Sequence, residues 1–261
     1  MSTRTLSAAS ISVINQYLHF QAGRAACSIP YFNNKSKGLR GALRVHAGKG
    51  SPKEISEEIE TLLVKNKMAA DSLSDEVLKK LLVDHSLGID CSGFTYHVLD
   101  AESRNQMKGG LDKHLSFVQT RGFLGKIKGH LRPVENTGVV TFAHDDNSRI
   151  LSVSEVAPGD IITLVSGDTQ TVGAERDHIL VIHQVDYNES VPQKIYYSHS
   201  LAYPEDGVYG TGIKQGTIEV SKPAESITSQ TWIENGRTGM DNPLFARALR
   251  SKTELRRLNW F

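Results

Sequence analysis

GIDCSGFTYHVLD, residues 88–100, is the stretch on which the reading of the whole chain turns. Asp90 or Gly88 can close the chain into a helix, and Phe94 and Val98 stand four apart, so the segment predicts an amphipathic helix entered at one of these two residues. Cys91 then falls in the first turn, over the positive end of the helix, where a thiolate is stabilised. Gly93, with no Cβ, predicts a close approach of a second backbone to that turn. The same thiol has an alternative reading as a packed small hydrophobe. The rest of the chain has to decide between them.

Upstream, Ile11, Ile14, Leu18 and Ala22 recur at three- and four-residue steps and predict a helix between Ser7 and Ala26, ended before Pro30. Ser51-Pro52-Lys53-Glu54 offers an N-cap, a proline for the first helical position and a capping-box glutamate, ahead of Ile55, Ile59, Leu62 and Leu63. Another helix is predicted from Ser74 to about Gly88 on the stripe Val77, Leu78, Leu81 and Leu82. Gly48-Lys49 is not a phosphate-binding loop, because Leu43 stands where its first glycine belongs.

Beyond Arg132 the pattern changes to short β-rich runs: VVTFA at 139–143, DIITLV at 160–165, HILVIHQV at 178–185, KIYYSHS at 194–200 and TIEV at 217–220. Helices first and strands afterwards predict an α+β fold with a mainly antiparallel sheet, as one domain over residues 1–261. Asn242-Pro243 predicts a last helix, about 242–258. Its Arg247, Arg250, Lys252, Arg256 and Arg257 read as a solvated basic face or an anionic docking site.

Thirty basic and 29 acidic side chains leave a net charge of +1, too little field to gather nucleic acid or an anionic membrane. No segment approaches the roughly 20 apolar residues of a membrane span. Asn15, Gln16 and His19 interrupt the N-terminal apolar stretch, so it predicts a domain helix and not a signal peptide. The expectation is synthesis as a soluble cytoplasmic protein, with any export by another route. Two cysteines in 261 residues fit a reducing or thiol-using protein better than a disulfide scaffold.

The histidines favour the nucleophile reading of Cys91. Alternation along residues 178–183 sends His178, Leu180 and Ile182 to one face and Ile179, Val181 and His183 to the other. If KIYYSHS pairs with that strand through the intervening loop, His199 comes beside His178. Thiol, base and a polar residue steadying the base are the parts nucleophilic acyl transfer needs.

Four ordered pieces carry a family resemblance: IPYFNN at 29–34, DCSGF at 90–94, PGDIITL at 158–164, and DHILVIH at 177–183 with YSHS at 197–200. Together they resemble the NlpC-type cell-wall cysteine peptidases, a papain-like group cutting peptide bonds in bacterial peptidoglycan. The resemblance implies a papain-like fold with a helical insertion at about 35–87. It implies Cys91 as nucleophile, His178 as general base and acid, and His199 as the residue orienting His178. Tyr31, Asp90 and Ser92 are implied to line the substrate site, Tyr31 near the scissile carbonyl and Asp90 near a stem-peptide amine. The implied partner is peptidoglycan or its stem peptides, and no cofactor or metal is implied.

Several rivals stay open on the sequence. A thiol acyltransferase or a deamidating effector would use the same dyad, and a non-catalytic wall-binding module would keep the fold. His144-Asp145-Asp146 are metal-ligand types, but three adjacent polar residues after a run of this kind read as an exposed turn.

Overall fold

The computed structural model describes residues 1–34, 44–117, 131–167 and 177–261. Among these are seven α-helices: α1 (Ala8–Leu18), α2 (Pro52–Lys65), α3 (Asp75–Asp84), α4 (Cys91–Asn105), α5 (Pro133–Asn136), α6 (Val139–Ala143) and α7 (Pro243–Arg250). The strands are β1 (Ser2–Thr5), β2 (Phe20–Ala22), β3 (Ala25–Cys27), β4 (Ser148–Ile150), β5 (Ile161–Val165), β6 (His178–Asn188), β7 (Val191–Leu201), β8 (Gly212–Glu219), β9 (Thr231–Glu234), β10 (Arg237–Thr238) and β11 (Lys252–Leu258). The fold is α+β with a mainly antiparallel sheet.

Nine strands form that sheet in the order β10-β9-β8-β7-β6-β5-β11-β4, with β1 paired to the far half of β6. Helices cover one face, so Ile161, Ile179 and Val181 join a core with Ile14, Phe94 and Val98. The other face buries Ile162, Leu164, Leu180, Ile182, Tyr197 and Trp232 under segments that include Leu244 of α7. Two covered faces explain why β5 and the first half of β6 are continuous apolar runs, although their neighbours are antiparallel. Alternation along residues 178–183 holds: Val181 faces Ser198 across the ladder, and His183 on the same face hydrogen-bonds Ser198 through Nδ1 at 3.0 Å.

The capping signals hold as well. Ser51 accepts from Glu54 N while Glu54 accepts from Ser51 N at 2.8 Å, opening α2. Ser74 caps α3 and buries Leu78 and Leu82. These helices fall in the insertion expected at about 35–87, of which residues 35–43 lie outside the described residues.

Three expectations are corrected. The first helix ends at Leu18, and Ala22 belongs to a β2-β3 hairpin. VVTFA is the single-turn helix α6, not a strand. Its carbonyls are taken locally: Asn147 Nδ2 donates to Thr141 O at 2.7 Å and Ser148 Oγ donates to Phe142 O. Side-chain capture of this kind replaces the ladder that the β-branched residues favour.

The third correction is the C-terminal helix. It stops at Arg250, and residues 252–258 are β11, an interior strand between β5 and β4. Its basic side chains are not a solvated helix face. Arg256 is buried and donates to Ser148 Oγ at 2.8 Å, to Glu254 at 2.6 Å and to Asp145. Arg257 pairs with Asp160 at 2.7 Å. Asp145 is thereby part of an ion pair in the turn after α6.

Candidate functional site

Helix α4 begins as its sequence predicts. Asp90 is the N-cap, accepting from Gly93 N at 2.6 Å. A Cβ on Gly93 would lie 3.0 Å from Gly48 O and 2.8 Å from Ile89 Cδ1, so the first turn packs against the 48–49 backbone. That approach brings in Lys49, which is buried and donates from Nζ to Asp90 Oδ1 at 2.9 Å, Ser92 Oγ at 2.6 Å and Thr137 O at 2.9 Å. Asp90 and Ser92, expected to meet substrate, are both bonded by one buried lysine.

The histidines meet from neighbouring strands. Val181 pairs with Ser198 in the β6-β7 ladder, so His178 and His199 are diagonal neighbours on one face. His178 Nε2 and His199 Nδ1 lie 2.9 Å apart with the rings edge to face. His199 Nε2 reaches Glu234 Oε2 at 2.8 Å. Glu234 also accepts from Tyr203 Oη at 2.7 Å and Tyr197 Oη at 3.1 Å. Gly216, opposite both Glu234 and Tyr197, makes the last contact possible, since a Cβ there would fall 2.2 Å from Tyr197 Oη.

This chain fixes proton positions. An ionised carboxylate only accepts, so His199 Nε2 carries a hydrogen. When His199 carries only that proton, its Nδ1 accepts from His178 Nε2 and the lone pair of His178 is left on Nδ1; when His199 is charged, its Nδ1 donates to His178 Nε2 instead. Burial would push the Glu234 carboxyl up, but the opposing charge of His199 and hydrogen bonds from His199, Tyr203 and Tyr197 outweigh it and hold the carboxyl below its ordinary range. Burial, His199 and Arg247 together hold His178 well below its ordinary value, so its imidazole is neutral at pH 7.

Cys91 lies near the start of β6, where the backbone N–H of Ile179, the residue after His178, acts to lower its pKa. Ser200 Oγ donates to Ile89 O at 2.7 Å and ties β7 to the chain entering α4. The thiol is 5 % exposed. Burial and then Asp90 push it up to about 12, outweighing Lys49, Arg247 and the Ile179 N–H, which act downward. The thiolate expected from the helix N-terminus is therefore not the resting form. Solvent exclusion costs an ion more than the helix end returns. At rest Cys91 is therefore a neutral thiol and His178 a neutral imidazole.

Tyr31 forms a parallel bridge with Ile89. Burial raises its hydroxyl, followed by the charges of Cys91 and Asp90, which puts it in the electrostatic neighbourhood of the thiol. Of the six residues expected at the site, Cys91, Asp90, Ser92 and Tyr31 thus gather around the entry to α4, and His178, at the start of β6, pairs with His199 on β7. The sequence reading passed over three more. Glu234 stands just before Asn235-Gly236, both at positive φ, and this hairpin signal places it at the end of a strand. Lys49 stands in sequence only as part of a glycine-rich loop. Arg247 belongs in sequence to a basic helix face, yet its charge acts on Cys91, Tyr31 and His178 alike.

Among the described residues no group of three or more His, Cys, Asp or Glu is arranged to hold a metal, and both cysteines are free thiols. No helix among them is long and apolar enough to cross a membrane. Compared with protein-family models, curated proteins and solved structures, the chain matches none.

Proposed function

We propose that this protein is a papain-like cysteine amide hydrolase that cuts peptide bonds of peptidoglycan stem peptides. The observation that carries the reading is the Glu234-His199-His178 chain, which ends one residue before Ile179, whose N–H acts on the Cys91 thiol. The resemblance of the four ordered motifs supports the substrate class.

His178 Nδ1 takes the Cys91 proton as sulfur attacks the amide carbonyl. The proton then passes from His178 to the leaving amine, leaving a thioester that water hydrolyses. His199 and Glu234 keep His178 in the tautomer with Nδ1 bare and stabilise its charged form. The first N–H groups of a helix have no intrahelical partners. Asp90 takes that of Gly93, which leaves those of Cys91 and Ser92 for the oxyanion. One such donor is typically worth about 3 kcal/mol in the transition state.

The buried, neutral Cys91 favours a second reading, a non-catalytic module of the same architecture. One experiment separates the two. Purified peptidoglycan and free stem peptides are digested with wild type and Cys91→Ala, and the products are identified by mass. New amine and carboxyl termini from wild type alone are expected; identical products from both proteins would sink the hydrolase. Cleavage of free peptides only would point to recycling of wall fragments.

A further inference from the structure

Between β7 and β8 the chain runs over the surface through residues 202–211, and Tyr203 is the buried residue of that connection. The rest is exposed or half-buried and is fastened by its polar groups. Asp206 Oδ2 accepts from Tyr203 N at 2.9 Å and Asp206 Oδ1 from Lys214 Nζ at 3.0 Å, while the Lys214 ammonium lies 5.0 Å over the Tyr203 ring. Lys80 Nζ donates to Tyr209 Oη at 3.2 Å, and Tyr209 Oη to Asp84 Oδ1 at 3.3 Å, which ties the connection to α3. The Tyr203 hydroxyl is thereby aimed inward and donates to Glu234 Oε1 at 2.7 Å.

That bond gives the carboxylate donors on both oxygens. Oε2 takes His199 Nε2 at 2.8 Å and Tyr197 Oη at 3.1 Å from β7, and Oε1 takes Tyr203. Glu234 is 3 % exposed, so water has little access to replace a missing donor. Its register partners are Gly216 on β8 and Arg237 on β10, and the Arg237 guanidinium pairs with Glu205 at 2.8 Å. At the far end of the chain, Arg247 of α7 acts on His178. Burial and the Glu234 charge raise both phenols, which therefore stay protonated as donors.

The direction of the whole chain depends on one proton. A hydrogen added at Glu234 Oε2 turns that oxygen from acceptor into donor. His199 Nε2 then accepts, the single His199 hydrogen sits on Nδ1 and donates to His178 Nε2, and the His178 hydrogen moves to Nδ1. A proton held by His199 ends in the same arrangement at His178. Either way the chain gains one proton, and His178 Nδ1 passes from lone pair to N–H.

We propose that Tyr203 is a positioning residue of the site: by donating to Glu234 Oε1 from the 202–211 connection, it keeps that proton off the chain and leaves His178 Nδ1 bare. The consequence for catalysis rests on the hydrolase reading above, since a base needs its lone pair free. The direction of the proton chain does not depend on that reading.

The test reads ring nitrogens before turnover. The full chain carries isotope-labelled histidine, the His178 signals are assigned by their loss in His178→Gln, and the Nδ1 resonance is followed by NMR from about pH 8 down to about pH 5. In wild type Nδ1 should stay bare through that range. Tyr203→Phe keeps the ring under Lys214 and removes the donor, and the pH at which Nδ1 becomes N–H should rise by about 1–2 units, the usual strength of a hydrogen bond to a charged group. Tyr197→Phe, which removes the longer bond on the other oxygen, should raise it less. A midpoint that both variants leave in place, whatever they do to urea unfolding, would overturn the proposal and make the two phenols structural. Where stem peptides are cut, the acid limb of the rate–pH profile should move up by the same amount as the midpoint. A shifted midpoint in a protein that cuts no peptide would support the proton chain and sink the hydrolase reading alone.

Discussion

Lys49 with Asp90 and Ser92, and Glu234 with His199 and His178, are two buried polar groups that reach the neighbourhood of Cys91 from opposite directions in the sequence. The first is an anchor. Lys49 has three N–H donors and spends them on Asp90, Ser92 and the Thr137 carbonyl, so the cluster fixes the entry to α4 through Asp90 Oδ1. The second is directional. Each imidazole accepts on one nitrogen and donates from the other, so the Glu234 charge is passed along two rings and sets a lone pair on His178 Nδ1. Nearness to Cys91 in sequence therefore marks the helix anchor, while the Glu234-His199-His178 chain comes from strands 87 to 143 residues further on.

The contrast is broken most directly at Glu234. Glu234→Gln keeps the shape but removes the charge that orders the two imidazoles, and the hydrolytic rate should fall by roughly 10²–10⁴-fold, the usual worth of a positioned acid-base group. The urea midpoint should move little. A variant that unfolds easily but turns over at the wild-type rate would make Glu234 a structural anchor like Lys49.

Lys49→Met is the complementary experiment. It strands a buried carboxylate, and loss of one partner of a buried pair typically costs about 3–5 kcal/mol. Urea unfolding should show that loss. The double variant Lys49→Met, Asp90→Asn should recover much of it, because Asn removes the stranded charge and still caps the helix. Recovery that fails to appear would mean that the Thr137 and Ser92 contacts, and not the ion pair, hold the turn.

A third prediction follows from keeping histidines neutral inside the sheet. Burial lowers His183 to about 4 and holds His178 well below its ordinary value. The unfolded chain binds these protons near pH 6.5 and the folded chain does not, so their share of stability is present above that pH and is lost as pH falls toward 4. Each contributes a slope of about 1.4 kcal/mol per pH unit within the window. His183→Gln, which can still bond Ser198, should flatten the slope by that amount without touching the Glu234 chain. An unchanged slope would show that His183 already charges in the folded state.

How much of this was legible follows from the range of each signal. The α4 cap, the Ser51 capping box and the alternation of His178 with Leu180 and Ile182 are local, set by neighbours within four residues, and all hold. The register of β6 on β7 is short-range too, because the two strands form a hairpin, and it joined His178 to His199. Glu234 escaped because it reaches the site through two further strands, β8 and β9, whose order no local pattern states. Residues 252–258 escaped for another reason. Their arginines look solvated until Asp145 and Asp160 arrive from elsewhere in the fold, with Glu254 of the same strand, to neutralise them. Cys91 shows the limit of position as a guide to charge, since the helix end was foreseen but the depth of burial was not.

The smallest effect tests whether a helix cap and an ion-pair partner can be told apart. Ser51 only caps α2, so Ser51→Ala should cost about 1 kcal/mol in urea unfolding. Asp90 caps α4 and also meets the Lys49 ammonium, and Asp90→Ala removes both contacts. Its cost should exceed that of Ser51→Ala by several kcal/mol, since the remainder is a buried charge left alone. If the two substitutions cost the same, Lys49 finds another partner when Asp90 is gone. The first cluster would then be adaptable, and Asp90 would regain the freedom to meet a substrate amine.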